Sequence, residues 1–478
     1  MLKHLQSHQE YLTLQVSLRR FVPLEALDEY SEVIAMFQLL NFDAAHDFLA
    51  TLYSSTGRPA RAQIQILRAY IFCVYEHLSW EKLLKRLHTR SVYRLIIGLT
   101  PAEIPSLPAF YELSRRLMPT GEKTTTQKKS GTKPRRKLPK NHKLPEKRPG
   151  QAQRVAQLVQ KENFNAGRPE LPLQTLFKLV SVDTSIACGL ITPNCLISGD
   201  GTCLRTGADP YGRPTCSCRS QGSFNCDCPR RYADPWATFG WDSYLQQYYY
   251  GHTVYLLTTY NPQLKVDLPV FLKTVSAKRH DSVTALFALA EFRTLAPQLN
   301  LTGFISDSAC DNYATYHLLK KWQLPAFIAL NQRMQGNFTY GQIECDQNGT
   351  PLCAAGLKMI NCGRDNTRDR TKFRCPVAAG KCASCPLGQW CSKSAYGRVV
   401  YTKNADNPRF FTDIPRHSKH WREVMKQRTA IERNNKQILQ DYGLDHTRVR
   451  TRSRLTLWVT MAMMLIHLKA QSKQVKAQ

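Results

Sequence analysis

Acidic charge is scarce in this sequence. Among 478 residues, 36 Asp and Glu face 66 Lys and Arg, a net charge of +30. A surplus of that size points to a polyanionic partner, nucleic acid first. Long apolar runs are also missing. The longest, at 455–468, covers 14 residues, too few to cross a bilayer. The opening MLKHLQSHQE lacks the apolar core of a secretory signal. The expectation is therefore a chain that neither spans membranes nor is exported. With 42% hydrophobic and 21% charged residues it can build sizeable cores, about three structural units at this length.

What is abundant is cysteine, at 16 residues, and all but Cys73 lie between Cys188 and Cys391. In a long chain without an export signal, clustered thiols read as metal ligands rather than disulfides. Cys216, Cys218, Cys226 and Cys228 form C-x-C-x7-C-x-C, enough for one tetrahedral Zn²⁺. Cys375, Cys382, Cys385 and Cys391 form C-x6-C-x2-C-x5-C, a second candidate zinc site. Four thiolates fill every position around the ion, so either zinc would be structural. His252 and His280 read as ordinary strand and loop residues, with Asp281 capping the helix that follows.

The chain divides by pattern. Residues 1–119 read as a helical DNA-binding domain. Ile64, Ile66, Leu67, Tyr70, Ile71 and Val74 recur at helical spacing after Gly57 and Pro59, and Ser79 suits the cap of the next helix. FYELSRRL, ending before Pro119, is a short basic helix. With Arg115 and Arg116 on DNA it suits a helix-turn-helix reader; with both solvated, a plain bundle suits the pattern equally. Residues 120–150 hold eleven Lys or Arg, two Glu, four Pro and no Phe, Tyr or Trp. Such a segment reads as a flexible basic linker, with Arg135, Arg136 and Lys137 among its phosphate contacts.

From about residue 175 strands predominate: 195–201, 248–260, 268–275, 303–308 and 325–331, with helices at 282–295 and 313–322 between the later ones. Three consecutive strands and then alternation predict a mixed α/β sheet over 175–331. A Cys-rich insertion (332–415) follows, and 416–472 supplies two closing helices, 421–442 and 455–470.

Asp200 and Asp307 each end an apolar run, the placement by which α/β folds present acids at an active edge. Such acids can hold a pair of Mg²⁺ ions for phosphoryl transfer. Asp183 is a rival for the first position and Asp311 for the second. Glu432 is the third acid. It borders an apolar stripe of Trp421, Val424, Met425, Ile431, Ile438 and Leu439, one turn after Arg428, where it needs a cation or a charged partner.

Asp-Gly-Thr after one strand, GFISDSACDNY after another, and R-x3-E on a late helix together resemble the DDE transposases of bacterial insertion sequences. The stretch from Arg61 to Leu117 is similar to the helical domain that precedes their catalytic core. The resemblance covers roughly 60–118 and 190–470. It implies an RNase H-like catalytic core and a triad of Asp200, Asp307 and Glu432 holding Mg²⁺ or Mn²⁺. It also implies Arg428 on a DNA phosphate, cleavage followed by strand transfer, a homodimer on DNA, and a place in the cytoplasm with the bacterial nucleoid. The family hallmark is Y-x2-R-x3-E-x6-K; here Met425 replaces the Tyr and Leu439 the Lys, with Lys436 as a substitute. A non-catalytic DNA-binding regulator and a standalone nuclease are the rival functions.

Overall fold

The computed structural model describes residues 1–2, 4–119, 149–161, 168–331, 336–388, 391–416, 418–445 and 447–477. The basic segment expected to touch phosphates, with Arg135, Arg136 and Lys137, lies outside the described residues apart from its last two positions.

Eight helices come first: α1 (His8–Arg19), α2 (Leu24–Glu29), α3 (Ser31–Gln38), α4 (His46–Thr51), α5 (Gln63–Tyr75), α6 (Trp80–Thr89), α7 (Ser91–Ile97) and α8 (Leu107–Leu117). Their boundaries follow local chemistry. Ser79 caps α6 by accepting from the Lys82 amide at 3.3 Å, as its sequence predicts. Gly98, at φ +80°, ends α7 in the left-handed region, where the Tyr11 ring lies 2.6 Å from where a β-carbon would stand. Helix α8 buries Phe110, Leu113 and Leu117, and the Tyr70 hydroxyl donates to the Phe110 carbonyl.

Helices α9 (Gln151–Gln160), α10 (Leu171–Phe177) and α11 (Asp183–Ala187) lead to the sheet. Its elements are β1 (Asn194–Arg205), β2 (Arg213–Pro214), β3 (Arg230–Arg231), β4 (Thr238–Asp242), β5 (Gln247–Asn261), β6 (Val266–Ser276), α12 (Asp281–Leu295), β7 (Asn300–Ser306), α13 (Tyr313–Lys321) and β8 (Ala326–Ile328). The main sheet runs β6-β5-β1-β7-β8, with β4 continuing the edge of β5 beyond the end of β6. Strands β5 and β6 are antiparallel to their neighbours, while β7 and β8 run parallel to β1. This is the mixed, RNase H-like sheet expected from the sequence. Strand β1 is longer than predicted. It passes through Asp200 to Arg205, so Asp200 stands within a strand that outruns β7, whose last pairing is Ser306 with Gly199.

The Cys-rich region holds β9 (Phe338–Tyr340), β10 (Ile343–Cys345), β11 (Ile360–Asp365), β12 (Arg370–Arg374) and β13 (Val399–Lys403) in two small antiparallel sheets. The predicted 421–442 helix is broken into α14 (Lys419–Lys426), α15 (Thr429–Lys436) and a π-helical turn at Gln437–Asp441. The break has a packing cause. Val424, Trp421 and Met425 pack on Ile305 and Phe327, whereas Ile431 and Ile438 enter the main core, so one straight helix cannot serve both surfaces. Last comes α16 (Arg452–Ala477), whose predicted apolar stretch is buried inside the protein. Among the described residues no helix is long and apolar enough to cross a membrane.

One hydrophobic cluster runs from the first helices through the sheet to α16. Helix α16 lies against α5 and against β6. Its Trp458 stacks on Trp80 of α6 at 6.5 Å, and its buried His467 hydrogen-bonds the Pro269 carbonyl at 2.8 Å.

Candidate active site

Parallel pairing of β1 with β7 puts Gly199 opposite Ser306, so the residues that follow, Asp200 and Asp307, emerge side by side. Burial pushes the Asp200 carboxyl up to about 7, helped by the negative charges of Asp307 and then Asp281 and opposed by Arg428. Asp307 starts a short 3-10 turn and accepts from the Ala309 amide at 3.0 Å. The rivals are engaged elsewhere. Asp183 takes hydrogen bonds from Lys178 at 2.7 Å and Gln298 at 2.8 Å. Asp311 is buried in a bidentate pair with Arg409, at 2.9 and 2.6 Å, and also binds the Tyr316 hydroxyl. It fastens the Cys-rich region to α13 and has no free face for a ligand.

Of the two partners expected for Glu432, a cation or a charged side chain, the structure holds the second. Its carboxylate is half exposed and accepts from Arg428 at 2.5 Å, so its charged partner is a side chain one turn earlier. The three acids of the expected triad are not gathered within ligand distance of one another. The residue of α15 that does reach Asp200 is Asn435, whose amide nitrogen donates to its Oδ2 at 3.3 Å. The other amide atom of Asn435, Oδ1, is buried without a hydrogen-bond partner.

Asp281 was read from sequence as a helix cap. The cap is instead His280, which accepts from the Ser282 amide at 3.2 Å. Relieved of that role, the Asp281 carboxylate turns onto Gly201. A β-carbon there would come within 2.4 Å of its oxygen. Burial pushes Asp281 up to about 6, with the charge of Asp307 adding to it. The Gly-Asp-Gly run thus has a reason: Gly199 makes room for Tyr255 and Phe304, and Gly201 for Asp281. Sequence reasoning gives Asp281 only a capping role and passes over Asn435, because His-Asp before an apolar helix and Asn-Asn inside one look ordinary.

Beyond Asp200 the chain enters the loop between β1 and β4, closed at its base by the β2–β3 pairing. Here Cys216, Cys218, Cys226 and Cys228 converge, with all four sulfurs within 4.8 Å of one another. Cys216 to Cys226 is 3.6 Å and Cys218 to Cys228 is 3.5 Å. A tetrahedral ion with Zn–S bonds of about 2.3 Å needs sulfurs about 3.7 Å apart, so the cluster has the size of a ZnS₄ site. The Cys218 backbone amide and the neighbouring thiols lower Cys216 to about 7, favouring the thiolate a metal requires. The second set is not brought together. Cys375 is buried while Cys382 is exposed, and no pairing of strands closes the loop between them. Among the described residues, the first set is the one group of ligating side chains this tight.

Of the expected DNA contacts, Arg115 is well exposed, with a loose ion pair to Glu112 at 3.8 Å, whereas Arg116 is committed to the Leu52 carbonyl and Glu112, both at 2.8 Å. Arg115 and Arg454 line one hollow, and Lys82, Arg448, Arg450 and Arg454 line a larger groove of about 680 Å³ between the first helices and the segment before α16. Lys436 is exposed on α15.

Residues 17–115 match the family described as Transposase domain (DUF772), and residues 352–470 match the family described as Transposase DDE domain. The second span includes Glu432 and Asn435; Asp200, Asp281 and Asp307 lie outside both. No curated protein matches the chain.

Proposed function

Since this chain belongs to the DDE transposases of the insertion-sequence type, we propose that it cleaves DNA at the ends of an insertion sequence and joins the freed strand to target DNA. The observation that carries this reading is the emergence of Asp200 and Asp307 side by side from neighbouring parallel strands, with Asp200 partly buried. A carboxylate donor set suits Mg²⁺ or Mn²⁺, and next to it lies the amide of Asn435, which reaches Asp200 through its nitrogen and keeps a buried Oδ1 without a partner. The divalent cations, when bound, activate the attacking oxygen and stabilise the leaving one. Asp200 and Asp307 hold and orient them. Glu432 joins these acids when a DNA phosphate takes Arg428 from it, so that substrate binding completes the triad.

Lys436, Arg115 and the arginines before α16 neutralise the DNA backbone. The zinc held by Cys216, Cys218, Cys226 and Cys228 is structural and displays Arg219, Arg230 and Arg231 beside the active edge. Joining two element ends to one target requires two copies, so the working unit is a homodimer on DNA.

The test uses DNA carrying the element's ends. Asp307→Asn lowers Mg²⁺-dependent cleavage and strand transfer by roughly a thousandfold, because bound cations lower the barrier by several kcal/mol, while DNA binding stays nearly intact. Equal loss of binding would make Asp307 a structural residue and remove the basis of this reading. Cleavage without any strand transfer by the unaltered protein would point to a nuclease instead.

A further inference from the structure

The hairpin of β4 and β5 is apolar on both of its faces. On one, Tyr249 is buried and Gly240 lies against Ala277, whose side chain a β-carbon there would meet at 2.8 Å. Alternation turns Phe239 and Trp241 of β4, with Tyr248 and Tyr250 of β5, to the other face. There the rings pair across the strands, Phe239 with Tyr250 at 5.2 Å between centres and Trp241 with Tyr248 at 4.9 Å. Phe239 is 52% exposed, Trp241 50% and Tyr248 73%; at the turn, Tyr244 is 91% and Leu245 49% exposed. A solvated sheet face carries polar side chains, so a contiguous face of rings calls for a cover.

Charge decides what that cover is. Between Arg231 and Lys265 the chain has no Lys or Arg over 33 residues, in a sequence that holds 66 of them. Cations from elsewhere meet the hairpin on its opposite face or at its root. Arg205 pairs with Asp242 at 3.5 Å, the Lys278 amide donates to Thr238 Oγ1 at 3.1 Å, and Arg452 stands over Trp236. Sites for single-stranded nucleic acid combine rings with a cationic groove, and this ladder carries no cation of its own. Two copies of a chain at +30 repel each other, so they meet at least cost where both are uncharged. At 150–250 Å² for a buried aromatic side chain, these five residues offer on the order of 600 Å² per copy, near the roughly 800 Å² per partner of a specific interface.

We infer that this face joins two copies of the chain, with the aromatic ladders packed face to face about a two-fold axis. The inference rests on the homodimer reading above and adds that the contact forms without DNA. The same alternation places Asp200, which pairs with Leu256, on the ladder's side of the sheet. Leu256 and Tyr250 are about 20 Å apart along β5, so the acids and the contact share one face of the sheet.

Analytical ultracentrifugation of the full chain without DNA tests this. The chain sediments as a dimer that tightens as salt is raised, because salt screens the repulsion; binding to DNA phosphates has the opposite slope. Trp241→Ser weakens self-association roughly thirtyfold or more. Tyr244→Lys, at a position too exposed to affect folding, also weakens it. Circular dichroism and thermal melting show that both variants keep the fold. A monomer at every concentration and salt, or a dimer that both variants leave intact, overturns the inference. A monomeric chain whose binding to a dT oligonucleotide is lost with Trp241→Ser gives the face to unpaired bases and overturns it too. Dimerisation without any cleavage of element ends fails the catalytic reading alone, whereas cleavage and strand transfer by a chain that is monomeric without DNA fails this inference alone.

Discussion

At Asp200 the conflict between burial and charge is measurable without any substrate. Its carboxyl is raised from 3.8 to about 7, and that of Asp281 from 3.8 to about 6. A carboxyl raised on folding favours the native state fully below its unfolded pKa, and that contribution is lost as pH rises through the folded value. For these two acids the window runs from about pH 4 to pH 7. Without added divalent cation, the protein should therefore lose stability across this range. Asp200→Asn should gain on the order of 2 kcal/mol over the unaltered protein at pH 8 and almost nothing at pH 4. Urea unfolding at the two pH values checks this. Saturating Mg²⁺ should erase the advantage, because the cation then balances the charge that Asn lacks. A variant equally stable, or less stable, at pH 8 would mean that the carboxylate is already neutralised inside the protein.

Among the elements, the loop between β1 and β4 has the least to hold it. Its own apolar contribution is slight: Phe224 is exposed at 67%, and Tyr232, buried at the base, belongs to the sheet end. Four thiolates on one ion would provide the order that packing does not, since metal binding becomes folding free energy where the unfolded chain has no site. Cys226→Ser should lower the zinc content of purified protein by about one ion per chain and loosen the loop without unfolding the sheet. Elemental analysis and hydrogen exchange over the loop read the two effects. This site was legible in the sequence because its ligands lie close along the chain, where spacing alone limits the geometry. The strands were legible for a similar reason, as apolar runs such as Leu268–Val275 show. The acid cluster was only half legible. Asp200 and Asp307 announce themselves at the ends of apolar runs, but Asp281 and Asn435 reach the site through tertiary packing that leaves no periodic trace. Glu432 shows the converse: its motif is plain in sequence, but R-x3-E is also an i,i+4 ion pair, so the spacing alone leaves open whether the carboxylate turns to a cation or, as here, to Arg428.

For the molecule as a whole, the first helices and the sheet share one hydrophobic cluster, with α16 packed on α5 and β6 at once. Residues 1–119 expressed alone should therefore lack a sharp cooperative unfolding transition and should bind a hydrophobic dye, because the faces of α5 and α6 that meet α16 stay bare. Appending the α16 sequence through a flexible linker should restore cooperativity. A sharp thermal transition in the isolated helices would show that the cluster divides where the basic segment begins. The same contact sets a clock on synthesis. Helix α5 is complete roughly 380 residues before α16 is made, which at about 5–20 residues per second is a wait of roughly 20 to 75 seconds. During that interval the apolar face of α5 has no native cover, and whatever shields it must leave before α16 can dock.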